Sequence, residues 1–95
     1  MTLTIHRLVW RPHNIAHIAR HAVTAREVEE VCRGPFFAIA TYAGRELVIG
    51  PTQEGRMLTV VLEPLEPGVY FPVTARPASR KERQRYAASQ LGDNL

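Results

Sequence analysis

Three histidines, His13, His17 and His21, recur at intervals of four. On a helix they form one stripe that drifts slowly around the axis. Imidazole can give or take a proton near neutral pH, so the stripe offers acid–base chemistry. Two histidines at i, i+4 can also chelate zinc. The zinc-protease pattern would place a glutamate between them, and none is there. The single cysteine, Cys32, supplies no ligand cluster, so neither a metal site nor a cofactor is expected. At a helix C-terminus, His21 also gains about 0.3–1 kcal/mol from the dipole. Its structural and catalytic readings both stay open at this point.

A second array lies near the other end. Residues 76–85 read RPASRKERQR, with Arg76, Arg80, Lys81, Arg83 and Arg85 against one acid, Glu82. Such a cluster suits phosphates, acidic protein surfaces or anionic membranes; a solvated helix face is the plain alternative. The guanidinium fork meets two phosphate oxygens at once. Tyr86 follows Arg83 by three positions and Glu82 by four. It can stack on a base, or it can anchor its helix to the core. Metal-free RNA cleavage requires a base for the 2′-hydroxyl, cations for the developing charge and an acid for the leaving oxygen. The histidines and arginines together contain those parts. Cys32 reads as packing, Glu27, Glu29 and Glu30 as helix-start acids, and Ser79 as a cap without a base partner.

The 95 residues provide for one domain, 1–95, with 45% hydrophobic and 22% charged residues and a net charge of +3. That composition is ordinary for a soluble globular fold and excludes a disordered chain. One cysteine cannot make an internal disulfide, which fits a reducing cytoplasm. His6 and Arg7 interrupt what a signal peptide would need as an apolar core. No apolar run approaches the roughly 20 residues that cross a bilayer. A cytoplasmic location without membrane attachment is expected.

Several elements must position these groups. Thr2–Trp10 is a short extended segment. Pro12 can open a helix near 13–21, with Ile15, Ile18 and Ala19 on one side. Thr24-Ala-Arg-Glu27 fits a capping box, and Val23 with Val28 fits a hydrophobic staple. Val28, Val31 and Cys32 form the stripe of that second helix, which Gly34-Pro35 ends. The period then changes. FFAIATYA, ELVIGPT, MLTVVLE and VYFPVTA are strand-like, separated by turns at Ala43-Gly44, Gln53–Gly55 and Pro64–Gly68. No helix is expected between Ala38 and Leu62. Pro72 predicts an edge or a bulge in the fourth run. Ser79-Arg-Lys-Glu82 fits a second capping box, opening a helix to about Gln90 with Tyr86, Ala87 and Leu91 as a loose stripe. The fold class is α+β, β-α-α-β-β-β-β-α, an antiparallel sheet packed with two short N-terminal helices and a C-terminal helix. Trp10, Val28, Val31, Leu47, Ile49, Val60 and Leu62 are expected to be buried.

Taken in order, these motifs resemble the BrnT family of bacterial toxins, whose fold is similar to that of RelE-type toxins. The resemblance rests on Trp10, Asn14, His17 and His21-Ala-Val23; on Glu27-Val-Glu-Glu-Val31 with Gly34-Pro35; and on Thr74-Ala-Arg76 with Ser79–Arg83 and Tyr86. It covers roughly positions 8 to 88. Ala22 stands where the family usually has glycine, and Arg11 where it usually has an acid. The resemblance implies a metal-independent ribonuclease toxin of a type II toxin–antitoxin pair. It would be neutralised by a ribbon-helix-helix antitoxin and would touch DNA only through that partner. It selects His21 as the acid–base group, with Arg76, Arg80 and Arg83 on the scissile phosphate. Lys81, Arg85, Tyr86 and Arg20 are the RNA-binding candidates. Arg76, Arg80 and Arg83 should then converge near His21. The rival readings are a non-catalytic RNA- or partner-binding module on the same fold and a metal-binding accessory protein.

Overall fold

The structure, a computed structural model, describes residues 3–92. Thr2, the first residue of the expected extended segment, lies outside them, as do residues 93–95 of the expected domain. The chain runs β1 (Arg7–Leu8), α1 (Pro12–Ala19), α2 (Ala25–Arg33), β2 (Phe37–Ala40), β3 (Glu46–Pro51), β4 (Met57–Glu66), β5 (Val69–Pro77) and α3 (Arg80–Gly92). The expected order is the observed one. The five strands form one sheet in the order β1-β5-β4-β3-β2.

The meander β2-β3-β4 and the β4–β5 pair are antiparallel. The β1–β5 pair is parallel, Arg7 opposite Val69 and Leu8 opposite Tyr70, so the sheet is not wholly antiparallel. This pairing ends two residues before Pro72, which has no amide hydrogen to donate. The β4–β5 register shifts there, Val61 facing Thr74 and Leu62 facing Pro72. The proline therefore marks a bulge in a strand that is flanked on both sides.

One short helical segment contradicts the expectation of none between Ala38 and Leu62: a 3₁₀ turn at Tyr42–Gly44. Its cause is local. Ala43 and Gly44 both have positive φ, 58° and 72°, and the Arg45 amide donates to the Tyr42 carbonyl at 3.1 Å. That is the tight hairpin turn whose twist matches its flanking strands.

Both capping boxes form. The Glu27 amide donates to Thr24 Oγ1 at 3.2 Å, and the Thr24 amide to Glu27 Oε1 at 3.0 Å. The Glu82 amide donates to Ser79 Oγ at 3.2 Å, and the Ser79 amide to Glu82 Oε1 at 2.7 Å. Val23 and Val28 are both buried, as a staple requires. Ile18, Val28, Val31 and Cys32 pack on Val48, Leu58, Val60 and Leu62 to make the core. Burial holds the Cys32 thiol up at about 12, so it packs as an apolar group.

Val28, Val31, Ile49, Val60 and Leu62 are buried, whereas Trp10 and Leu47 are only half-buried. For Trp10 the reason is its indole N–H, which donates to Glu29 Oε2 at 2.9 Å at the rim of the core. The terminal helix differs from the other two. No residue of α3 is buried, and Leu91 remains 69% exposed. Apolar burial does not hold this helix; polar anchors do. Glu82 and Tyr86 supply them.

Candidate active site

Asn14 fixes α1. Its amide nitrogen donates to the Val9 carbonyl at 3.2 Å and the Pro72 carbonyl at 3.0 Å, and its oxygen accepts from the Arg11 amide at 2.7 Å. The side chain is buried with its polar atoms satisfied, so the helix has one seat against β5. Asn14 precedes Ile18 by four positions, on the inward face. That placement was the sequence signal for its role, and the sequence reading passed over it.

Once α1 is seated, His13, His17 and Arg20 point away from the core. His13 lies beside Phe71, ring centroids 5.5 Å apart and planes tilted by 30°. His17 meets His21 edge-on at 5.8 Å. His13 belonged to the histidine stripe read from sequence, whereas Phe71 was not a candidate, because only the tertiary fold brings β5 to α1. Among the described residues, no group of three or more His, Cys, Asp or Glu side chains is placed to hold a metal ion.

The end of α1 carries the departure noted at Ala22. That residue adopts φ 57°, the left-handed geometry that glycine takes most easily. The amide of Val23 donates to the Ile18 carbonyl at 3.2 Å, which closes the helix. Arg56 Nη1 donates to the Ala22 carbonyl at 2.8 Å and pairs with Glu27 Oε2 at 3.0 Å. Desolvation pushes the Glu27 carboxyl up, but the Thr24 amide and Arg56 together hold it below its ordinary range. The alanine therefore takes the left-handed turn without glycine, clamped from outside by an arginine.

The basic array divides by environment. Arg76 pairs bidentately with Glu82, at 2.7 and 2.8 Å. Thr59 Oγ1 donates to the same carboxylate at 2.9 Å. The Arg76 guanidinium is the main cause that brings the Glu82 carboxyl down to about 2; the Ser79 amide and Thr59 add to it against desolvation. Arg76 is thus charge-compensated, and it ties α3 to β4 and β5. The one acid in the array folds back onto the arginine that the sequence reading placed on the phosphate.

Arg83 Nη1 donates to the Ala78 carbonyl at 2.8 Å, and among the described residues its charge is uncompensated. Arg80, Lys81 and Arg85 are exposed on α3 and form no ion pair among the described residues. Tyr86 donates its hydroxyl to the Pro35 carbonyl at 2.7 Å and is half-buried, with its pKa raised by desolvation. It anchors α3, as one of the two roles open to it from sequence requires.

The two arrays approach one end of the sheet. Arg56 holds the carbonyl of Ala22, next to His21, and Met57 accepts the Ala78 amide at 2.9 Å just before α3. Consecutive residues at the start of β4 therefore hold the end of α1 and the entry to α3. Among the described residues, no hydrogen bond or ion pair joins His21 directly to Arg76, Arg80 or Arg83.

A five-stranded, mostly antiparallel sheet with α1 and α2 before the meander and an arginine-rich α3 after it defines an α+β protein with the BrnT-type fold. The chain is similar to the crystal structure of the Brucella abortus ribonuclease toxin BrnT, with a TM-score of 0.60 and 22% sequence identity. The match covers 83% of this chain and 100% of the toxin. No protein-family model matches the sequence, and no curated protein matches it.

Proposed function

We propose that this protein is a BrnT-like ribonuclease toxin, cutting RNA at the sheet end where α1 finishes and α3 begins. The observation that carries the reading is the fold likeness along the full length of a ribonuclease toxin. In support, Arg56 and Met57, neighbours in sequence where β4 begins, hold the Ala22 carbonyl, next to His21, and the Ala78 amide, just before α3. In this proposal the 2′-oxygen attacks the adjacent phosphorus and the 5′-oxygen leaves. His21 transfers a proton in that exchange. Arg80 and Arg83 carry the developing negative charge, and Arg20, Lys81 and Arg85 bind flanking phosphates. Arg76 acts as a positioning residue through Glu82. The step requires no metal in this scheme, and a cytoplasmic site of action is part of the proposal.

A cognate antitoxin of ribbon-helix-helix type would cover the basic face and bring DNA binding to the complex. Finding a small neighbouring reading frame of that type would support the pairing. Induced expression without that neighbour should stop growth and degrade RNA, and the purified protein should cut RNA in the presence of EDTA. Loss of cutting in EDTA sinks metal independence.

A second reading, a binding module without catalysis, is favoured by one feature. Glu82 compensates Arg76, leaving two of the three expected phosphate arginines uncompensated. Tight RNA binding by a wild-type protein that cuts nothing selects the module.

A further inference from the structure

The surface between α1 and β5 contains a groove of about 550 Å³, lined by His13, Ala16, His17, Arg20, Phe71 and Val73. From it we infer a nucleotide subsite for single-stranded RNA, in which a base lies against the His13–Phe71 wall and Arg20 takes an adjoining phosphate. The inference rests on the ribonuclease reading for its polymer and for the Arg20 phosphate contact, and adds a base-binding wall that the reading does not use.

Four observations point the same way. Positions 13, 16, 17 and 20 follow one helical stripe, so a single helix face provides one wall and β5 the other. Ala16 leaves the middle of that wall open. The His13 and Phe71 rings lie 5.5 Å apart, tilted by 30°, and both line the groove. Stacking on such a surface tolerates any base, because every base has a π-face. Arg20 is exposed, forms no ion pair and sits on the rim, as a backbone-binding cation must.

The groove's volume lies within the usual range of about 300–1,000 Å³ for small-ligand sites. Its rigidity has a visible source in buried Asn14, which joins α1 to the Pro72 carbonyl beside Phe71. His17 lies between this groove and His21, edge-on to the latter. A strand with one base in the groove therefore runs toward the proposed cutting end. An apolar wall with one free guanidinium and two imidazoles fits a nucleotide better than a peptide, which would leave its backbone amides without acceptors here.

The test uses the full chain and a single-stranded RNA octanucleotide, with affinity read by fluorescence anisotropy and the histidine ring signals by NMR. Wild-type protein should show RNA-dependent shifts of the His13 and His17 ring protons. Phe71→Leu should weaken binding about tenfold through lost stacking. Arg20→Gln should lower the salt slope by about 0.7. Phe71 is half-buried and its replacement can disturb the fold, so exposed Ala16→Glu provides a second route. It fills the groove with a bulky anion on a helix that tolerates glutamate, and it should also weaken binding at least tenfold.

Wild-type affinity in Ala16→Glu, or ring signals indifferent to RNA, overturns the subsite. The two readings separate cleanly. Unchanged cutting and binding by Phe71→Leu and Ala16→Glu remove the subsite and leave the ribonuclease. Groove-dependent binding by a protein that never cuts RNA keeps the subsite and removes the ribonuclease.

Discussion

Replacing Glu82 with glutamine tests how α3 is held, because this helix has no buried residue to fall back on. The carboxyl moves from an ordinary 4.5 to about 2. At 1.36 kcal/mol per tenfold in proton affinity, that corresponds to about 3.4 kcal/mol before screening. The Glu82 side chain is 16% exposed but Arg76 is 42% exposed, and water screens the pair from that side. About 2 kcal/mol is the expected contribution. Glutamine keeps an oxygen for the Ser79 amide and loses the charge. For a domain of this size the melting midpoint should fall by about 10 °C at pH 7.

The pH dependence has a definite sign. A carboxyl with a depressed folded-state pKa stabilises above its unfolded value and loses that contribution as pH falls through the folded one. The difference between wild type and Glu82→Gln should be full above pH 4.5 and should shrink toward pH 2. Thermal melts followed by circular dichroism across that range provide the assay. A variant within 2 °C of wild type at pH 7, or a difference that stays constant to pH 2, refutes the reasoning. The same variant frees Arg76, so its RNA-binding salt slope should steepen by about 0.7 if that guanidinium then reaches a phosphate.

Ala22→Gly should stabilise the protein by about 0.5–1 kcal/mol, because relief of the strained positive φ outweighs the extra chain entropy of glycine; a lower chemical-denaturation midpoint contradicts the left-handed turn. Val28→Ala should cost about 2 kcal/mol at a fully buried core position, and an unchanged melting midpoint means α2 does not dock as described. His21→Gln should reduce RNA cutting more than RNA binding, since glutamine transfers no proton near neutral pH; equal cutting rates make His21 structural. Arg80→Ala should instead weaken binding and flatten its salt dependence, with circular dichroism unchanged, and an unaltered salt slope removes it from the phosphate path.

Much of the architecture was legible locally. Thr24 with Glu27 and Ser79 with Glu82 name their helix starts because a capping box is a contact across three positions. The change of period after Pro35 names the strands for a similar reason: alternation is a property of neighbours in sequence. Pro72 announced an irregularity through the hydrogen bond it cannot make. The choice between edge and bulge depended on β1, which arrives from over sixty positions away and pairs parallel.

The site was legible only in its parts. Sequence supplied the histidines and the basic run, with the helix stripe that aligns His13, His17 and His21. Spacing along one helix cannot say what crosses from another strand, and so Phe71 and the groove it makes with His13 went unseen. Nor can a count of charges say which are free. Glu82 looked like one acid among five bases, and only the packing of α3 on Thr59 directs it to Arg76 and removes that charge from the surface. Tyr86 had two roles open to it until the fold set the Pro35 carbonyl 2.7 Å from its hydroxyl. Residue chemistry and local periodicity belong to the chain itself. The pairing of charges and the opening of a groove belong to distances between segments far apart in sequence, which exist only after the core has closed.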